Sequence, residues 1–189
     1  MAQDPLSPEN VIVLVVDPQE KLLPKVFEPQ RVTGNIILLV RFARIAALPI
    51  VVTTQYEKGI GPIVEEINRE VSGAPAVDKV EFGCFHNRSF RKHLEGLGRE
   101  RRVLLVAGIE SHICVAQTVL GAMGRGYTVH VASDAVSSRT QWNWKIGLDR
   151  MQASGAIMST TEMAIYELLE RSDSPWFKEI LPDLRVPVI

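Results

Sequence analysis

The chain has 189 residues, of which 46% are hydrophobic and 23% are charged, and these values are typical of one soluble globular domain. Its formal net charge of −1 provides no electrostatic footprint for nucleic acid or an anionic membrane, so we expect neither as a partner. The two cysteines form no CxxC motif and have no Cys/His metal spacing, which argues against a disulfide framework. We therefore expect no metal and no cofactor.

The ends of the chain set expectations about location and domain limits. The first ten residues are polar and lack the apolar core of a signal peptide, and apolar runs elsewhere are too short to span a bilayer. We therefore expect a cytoplasmic protein. The length favours a single domain over 1–189, with its core over about 10–172 and a C-terminal arm over 173–189 that packs on a partner or stays mobile.

Strands and helices alternate along the sequence, a pattern typical of a layered α/β domain with a parallel sheet. The predicted elements are, in chain order, a strand over 11–16, a helix over 30–48, a strand over 50–54, a short helix over 62–69, a strand from Ala76, a helix over 87–97, a strand over 102–107, a helix that starts at Cys114 and ends near 124–126, a strand over 127–132, a helix over 141–153, a strand over 156–159 and a helix over 161–171. We therefore predict a three-layer α/β/α sandwich with a mainly parallel, six-stranded, Rossmann-like sheet.

The first predicted strand consists of six consecutive aliphatic residues, which indicates a central strand covered on both faces. Asp17 follows it directly, and Pro18 then ends the strand because proline has no backbone N–H. A carboxylate at the mouth of a buried strand is costly to desolvate unless the protein uses it. A cap on the following turn is the alternative role for Asp17, and the sequence leaves both open.

Two later segments place a lysine and a cysteine after apolar runs. The segment A-V-D-K-V-E-F delivers Lys79, although a lone lysine is more often a solvated surface charge. A second apolar run breaks at Gly108, and Cys114 follows where a helix is predicted to begin. The positive end of that helix favours a thiolate, and open α/β sheets bind ligands at the carboxyl ends of their strands. Cys114 is therefore a candidate nucleophile, with a buried small hydrophobe as the alternative.

In order and spacing, Asp17, Lys79 and Cys114 resemble the pattern of the isochorismatase-like cysteine hydrolases. The resemblance extends from about Val11 to Ile180 and implies the isochorismatase-like hydrolase fold. Four segments are most similar to the isochorismatase-domain-containing branch of that family: Thr53–Gly61, Gly108–Thr118, Asp134–Arg139 and Trp176–Ile180.

The resemblance also implies roles for individual residues. Cys114 would attack an electrophilic carbon, Asp17 would act as general base and then acid, and Lys79 would hold the charged pair in place. A cis peptide bond is implied between Ile109 and Glu110. The backbone N–H groups of Glu110 and Cys114 would then form an oxyanion hole.

Other residues are also candidates for roles in the site. His112 is an alternative partner for the cysteine, and Cys84 is an alternative nucleophile, although a packed thiol is its more common role. Gln19 would orient the active-site region, or it would form an ordinary hydrogen bond within a turn. The predicted substrate-binding residues are Gln19, Tyr56, Phe82, Phe85, His112 and Trp142. Aromatic residues are equally often core or subunit contacts, and Trp142, Trp144 and Trp176 are candidates for those.

Two functions therefore remain open. The first is a cysteine hydrolase that cleaves a small amide-like or other carbonyl-bearing metabolite, and the second is a non-catalytic scaffold that retains the pocket. A metal-dependent nicotinamidase is disfavoured because the segment T-T-Q-Y-E-K-G-I-G contains no histidine, and Cys114 argues against vinyl-ether hydrolysis by acid chemistry. The resemblance also implies a homo-oligomer, a dimer or a larger assembly.

Overall fold

A parallel sheet forms the centre of the computed structural model, which describes residues 5–185. Its strands are β1 (Val11–Val16), β2 (Ile50–Gln55), β3 (Ala76–Lys79), β4 (Val103–Ile109), β5 (Thr128–Ser137) and β6 (Ile157–Ser159). The strand order is β3-β2-β1-β4-β5-β6, and every neighbouring pair is parallel. The predicted six-stranded sheet is therefore confirmed, and it is parallel throughout.

Helices cover both faces of this sheet. They are α1 (Pro29–Ile45), α2 (Glu57–Ile60), α3 (Glu65–Glu70), α4 (Arg88–Glu95), α5 (Ala116–Met123), α6 (Gln141–Ala153), α7 (Thr161–Leu169) and α8 (Pro175–Leu184). Short 3₁₀ turns occur at Leu23–Lys25 and Cys84–His86, and a π-helical turn at Ser111–Val115 precedes α5. Within the described residues, no helix has both the length and the apolar character needed to cross a membrane.

Strand β1 explains how the three layers are held together. All six of its side chains are buried, and they alternate between the two faces of the sheet. Val11, Val13 and Val15 pack into the apolar core that contains α1, α7 and α8, whereas the residues between them pack into the core that contains α4 and α5. Because both faces of β1 are covered, its carboxyl end meets the helix layers rather than open solvent.

The sheet register brings the candidate residues to one edge. Val16, the last residue of β1, pairs with Thr53 on one side and with Gly108 on the other. Gln55 at the end of β2 pairs with Lys79 at the end of β3. The carboxyl ends of four neighbouring strands therefore converge around Asp17, as a doubly wound sheet requires of a ligand site.

The structure adds the short helix α2 and begins the helical turn around Cys114 earlier, at Ser111, and it differs from the sequence-based prediction in two larger elements. Strand β5 continues to Ser137, five residues beyond its predicted end, because the polar stretch after Ala132 is held in the sheet. There Asp134 accepts bonds from the backbone N–H and the hydroxyl of Thr161, at 2.8 and 2.9 Å.

The second difference lies in the predicted C-terminal arm, which contains α8. Pro175 occupies the first turn of this helix, where a missing N–H is not needed, and Ile180 is fully buried in the core next to α1. Residues 1–4 and 186–189, the outermost parts of the two arms, lie outside the described residues.

Candidate active site

Asp17 and Lys79 form a buried ion pair at the carboxyl edge of the sheet. Lys79 Nζ lies 2.7 Å from Asp17 Oδ2, and both side chains are completely buried. Asp17 Oδ1 accepts a 2.6 Å bond from the hydroxyl of Thr53, and Lys79 donates a further bond of 2.9 Å to Gln55 Oε1. Burial, the largest single influence, lowers the pKa of Lys79, but the Asp17 carboxylate and the two nearby cysteines, Cys84 and Cys114, together raise it by more, so the net direction is upward. The lysine is therefore held in its charged form.

Cys114 lies in the π-helical turn, is 7% exposed, and lies near enough to Asp17 and Lys79 for their charges to act on its thiol. Burial raises the pKa of this thiol, and the negative charge of Asp17 raises it further, although the nearby Lys79 ammonium acts in the opposite direction. This direction is opposite to the one expected for a cysteine at a helix N-terminus. The folded surroundings therefore favour the neutral thiol, next to a carboxylate.

A close contact fixes the backbone that leads to Cys114. Gly108 has φ +114°, and a Cβ atom at this position would collide with the carbonyl oxygen of Val16. Only glycine fits where β4 passes so close to β1. The following peptide bond, Ile109–Glu110, is cis, at the position that the family resemblance implied.

Glu110 anchors the turn through both its carbonyl and its side chain. Its carbonyl oxygen accepts bonds from the N–H groups of Ile113 and Val115, the residues on either side of Cys114, at 3.0 and 3.1 Å. Its carboxylate forms an ion pair of 3.0 Å with Arg139 and accepts a 2.9 Å bond from the backbone N–H of that residue. The segment after β5 therefore ties down the turn that carries the cysteine.

Gln19 has a positioning role in this site. Its Oε1 accepts a 2.7 Å bond from the backbone N–H of Gln55, and its Nε2 donates to the carbonyl of Gly61 at 2.6 Å. Gln55 in turn contacts Lys79. Gln19 is completely buried, and it is hydrogen-bonded to Gln55, which in turn accepts a hydrogen bond from Lys79.

The predicted aromatic wall divides into two parts. Tyr56 and Phe82 are about half exposed. The backbone N–H of Tyr56 donates to the carbonyl of Lys79, and Phe82 follows Lys79 by three residues in the sequence. Phe85 is buried, and its ring packs 5.2 Å from Phe90 and 5.5 Å from the ring of Tyr127. The predicted substrate contact of Phe85 is therefore corrected to a core packing role.

Two further candidates lie beside the site rather than in it. Trp142 is 72% exposed on α6 and lines a cavity of about 390 Å³ with Trp144, Lys145 and neighbouring residues of the same helix. Cys84 is buried 3.9 Å from the hydroxyl of Thr53, and burial raises the pKa of its thiol to about 11. Over residues 5–185, no group of three or more His, Cys, Asp or Glu side chains is arranged to hold a metal ion.

The sequence analysis assigned no role to Thr53, Gln55 or Ser138. Thr53 and Gln55 bond the two members of the buried ion pair, and Ser138 Oγ lies 2.9 Å from His112 Nδ1. All three residues lie in polar stretches at the ends of apolar runs, V-V-T-T-Q and A-V-S-S, and this pattern could have identified them. The bond to Ser138 also occupies the nitrogen nearer the backbone of His112.

The fold and the arrangement at this edge are those of an isochorismatase-like hydrolase. The family model described as "Isochorismatase domain" matches residues 11–163, and the chain belongs to this family. Isochorismatase domain-containing protein 2 of Danio rerio is 36% identical over 175 residues, which cover 93% of this chain and 87% of that protein. The resemblance to that branch is therefore confirmed.

Solved structures of similar proteins agree in fold. The MAR1 ribonuclease of Caenorhabditis elegans has a TM-score of 0.91 at 31% identity, over 98% of this chain and 95% of that one. YcaC of Pseudomonas aeruginosa, described with hexane-2,5-diol and covalent acrylamide, has a TM-score of 0.89 at 29% identity, over 97% and 93% of the two chains. YcaC of Escherichia coli, described as an octameric hydrolase of unknown specificity, has the same TM-score at 28% identity, over 97% and 92%.

Proposed function

We propose that this protein is a cysteine hydrolase that cleaves a small amide-like or other carbonyl-bearing metabolite. The observation that carries the proposal is the completely buried Lys79–Asp17 ion pair, whose two charges both act on the pKa of the Cys114 thiol. A buried ion pair is poor support for stability, because apolar residues of similar volume often serve equally well. A pair kept beside a nucleophilic atom is therefore better explained by chemistry than by folding.

The geometry supports the following sequence of steps. Cys114 Sγ attacks the carbonyl carbon while its proton passes to Asp17, and Lys79 favours the charged form of the carboxylate beforehand. The resulting oxyanion accepts bonds from the backbone N–H groups of Glu110 and Cys114. Asp17 then gives its proton to the leaving amine, and the C–N bond breaks to leave a thioester on Cys114.

Water completes the cycle. Asp17 takes a proton from a water molecule, whose oxygen attacks the thioester carbon. The C–S bond breaks, the product leaves as the acid, and the proton on Asp17 returns to the sulfur of Cys114. No metal or organic cofactor takes part in these steps.

The similar proteins bear on this proposal in two ways. The covalent acrylamide described for the Pseudomonas YcaC favours a reactive group in that protein, and acrylamide is itself an amide. The ribonuclease name of the nematode protein points instead to a phosphodiester, but the formal net charge of −1 does not favour RNA as a substrate here.

The octameric state described for the Escherichia protein supports a homo-oligomer, for which exposed Trp142 and Ile146 on α6 provide apolar surface. A cytoplasmic location remains part of the proposal.

Trapping the acyl intermediate tests the activity. The protein is incubated with a panel of small amides and esters, quenched in acid, and analysed by intact mass and peptide mapping. We expect an adduct on Cys114 that is absent in Cys114→Ala and forms about 100-fold or more slowly in Asp17→Asn, which lacks the general base. Cys84→Ala is the matched thiol control and keeps the adduct.

Two results would contradict the proposal. Wild-type protein that forms no Cys114 adduct and hydrolyses no member of the panel favours the scaffold alternative. Cleavage of single-stranded RNA that is lost in Cys114→Ala would replace the amide by a phosphodiester as the substrate class.

A further inference from the structure

Two serine hydroxyls link the turn that carries Cys114 to the end of β5. Ser111 and Ser138 are both completely buried, and their Oγ atoms lie 2.6 Å apart. Ser138 Oγ also lies 2.9 Å from His112 Nδ1 and 3.4 Å from the backbone nitrogen of His112. Ser111 Oγ lies 3.4 Å from the carbonyl oxygen of Trp144. A connected series of hydrogen bonds therefore runs from α6 to the imidazole ring of His112, two residues before Cys114 in the chain.

One placement of protons satisfies all four contacts in this series, and it depends on the 3.4 Å contact between Ser111 and the carbonyl of Trp144. The carbonyl of Trp144 can only accept, so Ser111 donates to it, and the lone pairs of Ser111 accept the single proton of Ser138. Ser138 then has no proton for His112 and accepts from both its backbone N–H and its Nδ1. This arrangement uses all four contacts. Nδ1 carries the proton, and Nε2 carries the lone pair.

We propose that Ser138 is a positioning residue which fixes His112 as the Nδ1–H tautomer, so that Nε2 accepts a hydrogen bond from an N–H or O–H group of the substrate. His112 is only partly buried and lies two residues before Cys114. The inference rests on the proposed hydrolase function and narrows its substrate class. Carbonyl compounds with a donor near the reacting carbon, such as primary amides, are preferred to equivalents without one.

A pair of thiol reagents tests the preference without knowledge of the natural substrate. Acrylamide and N,N-dimethylacrylamide both react by adding the Cys114 thiol across their C=C bond. Sulfur bonds to the β-carbon and the thiol proton ends on the α-carbon. Only acrylamide carries N–H groups. The rate of Cys114 modification by each reagent is measured by mass spectrometry, and the ratio of the two rates is compared between variants.

We expect this ratio to fall about threefold to tenfold in Ser138→Ala, the range that one neutral hydrogen bond supplies. Ser138→Thr, which retains a hydroxyl, restores the wild-type ratio. Ser137→Ala is the matched control and leaves the ratio unchanged, because the hydroxyl of Ser137 donates to the carbonyl of Phe27 at 2.6 Å. A general loss of packing would instead slow both reagents equally.

The tautomer is measured directly by long-range ¹H–¹⁵N correlation on protein with ¹⁵N-labelled histidine, with the His112 signals assigned by their loss in His112→Asn. We expect the Nδ1–H form in wild type and in Ser137→Ala, and mainly the Nε2–H form, which a free imidazole side chain prefers, in Ser138→Ala. An Nε2–H form in wild type, or an unchanged rate ratio in Ser138→Ala, overturns the inference. A wild-type Cys114 that reacts with neither reagent contradicts the proposed function, and the tautomer measurement still decides the role of Ser138.

Discussion

The carboxyl edge of the sheet and the outer surface of α3 each contain an ion pair of nearly the same length. Lys79 and Asp17 are 2.7 Å apart, and Arg69 and Glu65 are 2.9 Å apart. The first two side chains are completely buried, whereas the second two are 73% and 62% exposed. Distance therefore does not distinguish the pairs, but the surrounding medium does.

The difference in burial determines what each pair can do. Water screens the α3 pair, and exposed pairs of this kind contribute about 0–1 kcal/mol to stability. The buried pair has lost its hydration, so each member depends on the other to remain charged, and removal of one partner leaves an unpaired charge. The proposed role of Asp17 as a base for Cys114 depends on this pairing.

The largest effect is expected from Lys79→Met, which leaves the Asp17 carboxylate buried and unpaired. We expect the free energy of unfolding to fall by about 3–5 kcal/mol, measured by chemical denaturation at neutral pH. The double variant Asp17→Asn with Lys79→Met recovers a large part of that loss, because the buried charge is removed. A loss below about 1 kcal/mol in the single variant would show that the pair behaves like a surface pair.

The carboxyl edge of the sheet also shows which features of the site can be predicted from local sequence and which cannot. Asp17, Lys79 and Cys114 were proposed from the sequence because each lies at or after the end of a predicted strand, where a polar side chain is conspicuous. Thr53 and Gln55 also lie at the end of a strand, but their contacts with the ion pair depend on which strands pair and in which register, and a single strand does not encode that. The strand–helix alternation predicted a parallel six-stranded sheet covered on both faces but not its strand order, and α8 was not predicted because its two prolines resemble breaks.

The ionisation of Cys114 shows the same limit. The local signal, a cysteine at the predicted start of a helix, favoured the thiolate. The folded chain adds burial and the charge of Asp17, which act over distances that the local sequence does not contain and raise the pKa of the thiol. The assignment of Cys114 as the nucleophile remains a proposal, whereas the direction expected for the pKa of its thiol is reversed in the folded chain.

The next largest effect concerns the second buried thiol, Cys84, beside Thr53. Burial raises its pKa from 9.0 to about 11 in the folded protein, so the unfolded chain loses this proton first as the pH rises. The stabilising contribution is fully present below pH 9 and is lost as the pH rises towards 11. Two pKa units correspond to about 2.7 kcal/mol.

The measurement compares wild type with Cys84→Ala across that range. We expect the difference between their unfolding free energies to shrink by about 2–3 kcal/mol between pH 8 and pH 11. Other groups titrate in both proteins and cancel in the difference. A difference that stays constant would show that Cys84 is better solvated than its burial indicates.

A smaller effect is expected where α6 meets the nucleophile-bearing turn. A Cβ atom on Gly147 would lie 2.8 Å from the carbonyl carbon of Ser111 and 2.9 Å from the nitrogen of His112. Overpacking typically costs about 1–3 kcal/mol, and the better helix propensity of alanine offsets about 1 kcal/mol of it. Gly147→Ala should therefore lower stability by about 1 kcal/mol and slow the modification of Cys114 by acrylamide. The exposed α6 position Lys145→Ala provides a control, and equal rates in the two variants would contradict the expected shift of the turn.

The smallest effect is expected for the exposed pair that opened the comparison. Arg69→Gln removes the charge on α3 but leaves Glu65 in water, so the free energy of unfolding should change by no more than about 0.5 kcal/mol. Because screening weakens this pair further, the change should disappear at about 1 M salt, whereas the loss caused by Lys79→Met should persist there, since the buried charge is shielded from the added ions. A salt-dependent loss in Lys79→Met would mean that water and ions reach Asp17. Such access would also raise the effective dielectric around Cys114 and weaken the electrostatic advantage of the buried pair.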